Sequence, residues 1–252
     1  MIKYGLKLWS NNTTWFEEAV SLYKKGAYDF IEIYSNSTIP HDYAALEKIR
    51  HLPVFGTHIG HLDKAGFHKF FLTDDQFEAW KMTTDIADFF DVKHIIVHPA
   101  ITHTAETFWE NLAKLNDERI LVENMPVNSP FGDPDREFGT KLEDIGHIRE
   151  KKEMCLDVEK AVKASIYHKV PYKEFLKKAV EIMKPSYVHI SGGNITDPID
   201  QHTDLWEAEF DVAWVRDLLE NQEQDIYLVF ETPKNGQDLQ NDLKNMEYFK
   251  TV

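Results

Sequence analysis

Residues 94–123 read HIIVHPAITHTAETFWENLAKLNDERILVE: two short apolar runs flank a longer amphipathic stretch, and a polar residue closes each run. The first run closes on His98 and the second on Glu123. A short apolar run bounded by turn residues marks a strand buried on both faces, as in parallel sheets. Between the runs, Thr104–Leu115 has helical spacing, so the segment reads strand–helix–strand. The same alternation extends in both directions. Strands are expected at Tyr4–Trp9, Phe30–Tyr34, Val54–His58, His94–His98, Ile120–Glu123, Met154–Asp157, Tyr187–Ile190 and Ile226–Glu231. Helical patterns occupy Thr14–Lys25, Thr73–Phe90, Leu142–Glu150, Tyr172–Met183 and Val212–Asn221, with Asn12 or Thr13 as the expected cap of the first. Eight strands separated by helices predict a (β/α)₈ TIM barrel, one α/β domain over residues 1–252. An open doubly wound sheet is the competing arrangement. It would gather its site at one crevice and place a Gly-rich turn after the first strand, where WSNNTTW (residues 9–15) stands instead.

The composition narrows the function. With 42% hydrophobic and 13% aromatic residues the chain can bury a large core. No apolar stretch approaches the ~18 residues of a membrane span, and MIKYGLKLWSNN lacks the apolar centre of a secretory signal. A single cysteine, Cys155, excludes an internal disulfide and fits a reducing cytoplasm. The net charge of −15, from 43 acidic and 28 basic residues, disfavours nucleic acid and acidic membranes as partners. The dense basic runs, Arg149–Lys152 and Lys160–Lys173, fall in helical patterns and are expected to be solvated faces.

The polar residues at the strand ends carry the chemistry. His58, His98, Glu123, Asp157 and Glu231 close their strands, His189 stands one residue before the end of its own, and Asp200 and His202 follow strand seven. The carboxyl ends of parallel barrel strands meet at one mouth. Any one of these residues alone is more simply a hydrogen-bonded core group, and Asp157 could cap the helix that follows it. Together on one rim they favour a shared cation, because buried carboxylates without one are costly. Imidazole and carboxylate without thiolate suit zinc, manganese, iron or cobalt better than calcium or magnesium. Trp9, Phe131 and Trp206 are candidates for an apolar sugar-facing wall, and the irregular stretch Pro126–Thr140 for shaping access. His61 could turn to the mouth, whereas His103 and His168 read as surface residues.

The motifs HPA (98–100), EN (123–124), CLD (155–157) and ET (231–232), in that order, resemble the xylose-isomerase-like TIM-barrel superfamily along the whole chain. That superfamily contains endonuclease IV and many sugar and sugar-phosphate isomerases and epimerases. The resemblance implies a common metal site of Glu123, Asp157, His189 and Glu231. Similarity to endonuclease IV adds His58 and His98, sharing a second metal with Glu123, and the Asp200–His202 pair at a third. The nuclease has a third-metal histidine where this chain has Lys160, and a protonated ammonium cannot be a ligand. Lys160 is therefore expected beside Asp200 and His202, with no third ion there, as a contact to a phosphate or carboxylate.

With the metal-type residues, the resemblance implies a divalent-metal-dependent isomerase or epimerase of a small carbohydrate or sugar phosphate. The resemblance implies that Glu123 and Glu231 are its proton-transfer pair. A dinuclear phosphodiesterase like endonuclease IV accounts better for His58 and His98, and worse for the acidity and for Lys160. A barrel that binds metal or sugar without turnover is the third reading.

Overall fold

The computed structural model describes residues 1–60, 74–99, 104–128 and 135–252; His61, His103 and Phe131 lie outside them. The strands are β1 (Ile2–Trp9), β2 (Phe30–Tyr34), β3 (Val54–His58), β4 (His94–Val97), β5 (Ile120–Glu123), β6 (Met154–Asp157), β7 (Tyr187–Ile190) and β8 (Ile226–Phe230). They pair in parallel in that order and close into a barrel, β1 hydrogen-bonding β8 from Ile2↔Ile226 to Gly5↔Val229. The open-sheet alternative is excluded. Around the barrel run α1 (Phe16–Lys24), α2 (Tyr43–Leu46), α3 (Asp74–Phe90), α4 (Ala105–Leu115), α5 (Leu142–Arg149), α6 (Val158–Tyr167), α7 (Tyr172–Met183), α8 (Val212–Glu220) and α9 (Gln240–Thr251).

The helices pack on the barrel through their apolar stripes. In α4 the buried positions Phe108, Leu112 and Leu115 recur at three- and four-residue intervals, Thr104 caps the start, and Asn116 ends the helix in left-handed backbone (φ 44°). The first helix departs from the expected cap. It starts after Trp15, while the Asn12 side chain accepts the Trp9 N–H at 2.7 Å and closes the turn that leaves β1. α6 is buried over its first eight residues, so Lys160 (3% exposed) and Lys163 (0%) do not lie on a solvated face.

Inside the barrel, side chains two residues apart stack in layers, because strand side chains alternate between faces. The lower layer is apolar: Phe30, Ile96, Leu121, Cys155, Tyr187 and Val229, with Phe55 and Tyr227 against them. Two glycines make room for its rings. A Cβ on Gly5 would lie 2.4 Å from Phe30, and one on Gly56 2.5 Å from the Tyr187 hydroxyl. Two residues further along each strand stand Lys7, Glu32, His58, His98, Glu123, Asp157, His189 and Glu231. The polar layer thus rests on a filled floor, and among the described residues no helix is long and apolar enough to cross a membrane.

Candidate metal centre

Both ring nitrogens of His189 at the end of β7 meet carboxylates. Its Nε2 lies 2.7 Å from Glu32 Oε2. Its Nδ1 lies 2.6 Å from Glu123 Oε1 and 3.1 Å from Glu231 Oε1. Glu32, Glu123 and His189 are fully buried, at 0% exposure, and Glu231 is partly buried. Burial opposes a charge on the imidazole, but the carboxylates of Glu32, Glu231 and Glu123 around it hold its pKa well above the ordinary range. A ring fixed through one nitrogen by a carboxylate, with the other aimed at two more, has the support a metal-binding histidine needs.

The far oxygens of the same glutamates face a lysine. Lys160 Nζ donates to Glu123 Oε2 at 2.8 Å and lies 3.1 Å from Asp157 Oδ2 and 3.9 Å from Glu231 Oε2. The α6 start explains its reach: Asp157 caps the helix, its Oδ1 accepting the Lys160 N–H at 2.9 Å, so the first turn carries the ammonium back over the rim. Asn124 fixes the two strand ends, donating to the Asp157 carbonyl at 3.0 Å and accepting the Asp157 N–H at 2.8 Å. Burial opposes ionisation of Glu123, and Lys160, His189 and His98 overcome it, holding the carboxyl well below its usual range. Burial raises Asp157 to about 6 against the pull of Lys160.

His58 and His98 meet Glu123 from the third side. His98 Nε2 contacts Glu123 Oε2, His58 Nε2 lies 3.6 Å from the same oxygen, and the two Nε2 atoms are 3.0 Å apart. His58 Nδ1 lies 2.9 Å from the Ile59 carbonyl, which leaves Nε2 as the acceptor nitrogen when the ring is neutral. Burial pushes both rings downward, towards the neutral form a metal would require.

Among the described residues, His58, Glu123, His189 and Glu231 each offer a ligand atom, all within 4.8 Å of one another. The donor set therefore fits a divalent ion. It includes His58 where the sequence reading placed Asp157, which is engaged by Lys160 and by its own helix. Asp200 and His202 form a separate group with Glu159. His202 Nε2 lies 3.1 Å from Asp200 Oδ2 and its Nδ1 3.1 Å from the Glu231 carbonyl. The Glu159 oxygens already accept from Ser191 Oγ and the N–H groups of Gln201 and His202, at 2.8–3.0 Å. Glu159 thus clamps the loop after β7, including His202 in left-handed backbone (φ 49°). Lys160, expected beside this pair, turns instead to Glu123 and Asp157.

Sequence reasoning missed Lys7, Glu32 and Glu159. Lys7 Nζ lies 2.9 Å from Glu32 Oε1 and also pairs with Glu231. The missed signal was period-two alternation. In YGLKLW and FIEIY the polar residue stands inside the strand, and Trp9 and Tyr34 form one further inward layer above it. Those two rings, 5.0 Å apart, line a cavity of about 550 Å³ over the polar layer. Arg136, Lys234, Phe230 and Glu231 also line it. Trp206 does not; it packs edge-on against Tyr248. His168 is half-buried at the end of α6, 3.3 Å from the Thr140 hydroxyl. Of the Pro126–Thr140 stretch, residues 129–134 lie outside those described, while Pro126 and Arg136 border the cavity.

No protein-family model and no curated protein sequence matches the chain. Solved structures do. Endonuclease IV from Thermus thermophilus superposes with a TM-score of 0.69 at 20% identity, over 98% of this chain and 97% of that one. The 3-keto-D-glucoside 4-epimerase YcjR from E. coli gives 0.63 at 14% identity, over the whole of both chains. A xylose isomerase domain-containing protein from Salmonella typhimurium gives 0.60 at 12% identity, over 99% and 96%. At such identities the likeness is one of fold: this chain is a closed eight-stranded TIM barrel like the proteins it superposes on.

Proposed function

We propose that the protein is a divalent-metal-dependent isomerase or epimerase of a small carbohydrate or sugar phosphate. The observation that carries this reading is His189, held through Nε2 by Glu32 with Nδ1 facing Glu123 and Glu231, beneath a cavity of about 550 Å³. A bound divalent ion would polarise neighbouring substrate oxygens and stabilise the charge that develops as a proton leaves carbon. Glu123, His189, Glu231 and His58 would hold that ion. Glu231 lines the cavity, which supports a role in exchanging a proton with substrate. Lys7 and His189 keep it ionised against burial. Glu123 lies behind it, fully buried, and its part is to hold the ion and the neighbouring imidazole. Trp9 and Tyr34 supply an aromatic wall for the apolar face of a sugar ring.

The second reading is an endonuclease IV-like phosphodiesterase. What favours it is the convergence of His58 and His98 on Glu123 Oε2, a ligand pattern that one ion does not use up. One experiment tests both. Protein reconstituted with zinc, manganese, iron or cobalt is incubated in D₂O with a panel of aldoses, ketoses and their phosphates, and in parallel with duplex containing an abasic site. Metal-dependent deuterium incorporation beside the carbonyl, lost in Glu231→Gln, supports the isomerase. Strand cleavage without exchange replaces it by the second reading. Inertness in both arms, with metal bound, favours a binding barrel.

A further inference from the structure

We infer that the Lys160 ammonium stands in for a second divalent cation, so that the site takes one ion per chain; this rests on the metal reading above. The glutamates divide their oxygens between two cations. Oε1 of Glu123 and of Glu231 both face His189 Nδ1, at 2.6 and 3.1 Å. Oε2 of both face Lys160 Nζ, at 2.8 and 3.9 Å, and Asp157 Oδ2 closes the ammonium's surroundings at 3.1 Å. Three carboxylates around one buried ammonium are what a divalent ion in that position would attract.

The charges of the layer agree. Glu32, Glu123, Asp157 and Glu231 face Lys7, Lys160 and His189, so the two lysines already neutralise part of the acidity for which the sequence suggested metal. A second ion held by His58 and His98 would need Glu123 Oε2 as its carboxylate ligand. That oxygen already accepts from Lys160, and the ion would sit against a fixed positive charge that cannot leave without stranding Asp157. Lysine is suited to this place because its charge lies on one compact group at the end of a stem long enough to reach from the first turn of α6. The neighbouring Glu159, Asp200 and His202 do not restore a second position, because the Glu159 oxygens are taken by the loop they clamp.

The test is zinc stoichiometry, by elemental analysis and calorimetric titration, on the wild type and on Lys160→Met, Lys160→His and Lys160→Arg, with circular dichroism to confirm that each is folded. One ion is expected on the wild type and on Lys160→Arg, which keeps the charge. Lys160→Met and Lys160→His should each bind a second ion at least ~10-fold more tightly than the wild type does, the lower end of what a supporting group contributes to metal affinity. Two tight ions on the wild type would overturn the inference and leave the metal reading standing. One ion on all four proteins would overturn it likewise. No ion on any of them would remove the metal reading together with the inference.

Discussion

The two layers inside the barrel are built on the same eight strands, two residues apart, and are held together by opposite physics. The lower layer packs Phe30, Tyr187 and Tyr227 around Phe55, with Tyr227 stacked on Phe55 at 3.9 Å and Phe30 edge-on to Tyr187 at 6.2 Å. The upper layer replaces rings by charges, and each carboxylate in it meets an ammonium or an imidazole. The strands impose only the spacing. Volume complementarity stabilises the lower layer, where glycines admit the rings; charge pairing stabilises the upper one, where a lone group would be intolerable.

The sharpest way to break the comparison is to open the floor. Phe30→Ala should destabilise the fold by about 3–5 kcal/mol, because the facing Gly5 has no side chain with which to fill the cavity. The urea midpoint measures it, with an unchanged denaturant slope expected for a two-state loss. A cost below about 1 kcal/mol would mean that the floor is not close-packed.

Next in size is an upper-layer change. Lys7→Met leaves Glu32 and Glu231 without their shared ammonium and should cost about 3 kcal/mol, the lower end for breaking a buried pair, since His189 still faces both carboxylates. Unlike Phe30→Ala, this loss should be partly recovered when zinc is added, because the ion brings positive charge to the same carboxylates. Adding Glu32→Gln should also return part of it, a positive coupling read from a double-mutant cycle. No recovery by either route would show that Lys7 acts by packing rather than by charge.

Histidine separates the layers by pH. His189 is held charged by the carboxylates around it, whereas burial against Phe55 and Tyr187 pushes His94, at the floor, down to about 4. A group depressed in the folded state contributes stability that is complete above its unfolded pKa of about 6.5 and is lost as pH falls towards 4. His94→Gln should therefore flatten the stability curve between about pH 4 and 6.5, by on the order of 1–3 kcal/mol given its partial exposure. Denaturant midpoints at a series of pH values check it, and an unaltered slope would refute the assignment.

How far the sequence could be read follows from the same two layers. Strand-final residues such as Glu123 and Asp157 stood out because an apolar run stops at them, and the eight strands were legible as short apolar runs bounded by turn residues. Lys7 and Glu32 did not stand out, because β1 and β2 run one layer further, to Trp9 and Tyr34, and enclose their charges within apolar neighbours. Asp157 was legible as both a cap and a rim residue, and the structure gives it both roles. Lys160 was legible as a departure from the nuclease pattern, but not its partner: that depends on how the first turn of α6 folds back over the rim, a tertiary fact. Glu159 had no signal in the chain, since its role is to bind backbone N–H groups of a loop 42 and 43 residues away.

The smallest effect belongs to Cys155, where the layers meet. It sits in the floor on β6, two residues before Asp157 and alongside Tyr187 in the strand register, at 0% exposure. Burial pushes its thiol up to about 12, so at neutral pH it is a small apolar group and not a nucleophile. Cys155→Ala should cost only about 1 kcal/mol, because one sulfur atom is removed and the surrounding aliphatic side chains can partly close over the gap. In the folded wild type an alkylating reagent should react no faster than the protein unfolds, and adding urea below the midpoint should raise that rate in step with the unfolded fraction. Rapid alkylation without unfolding would show that solvent reaches the boundary between the layers, and the floor on which the charged site rests would then not be sealed.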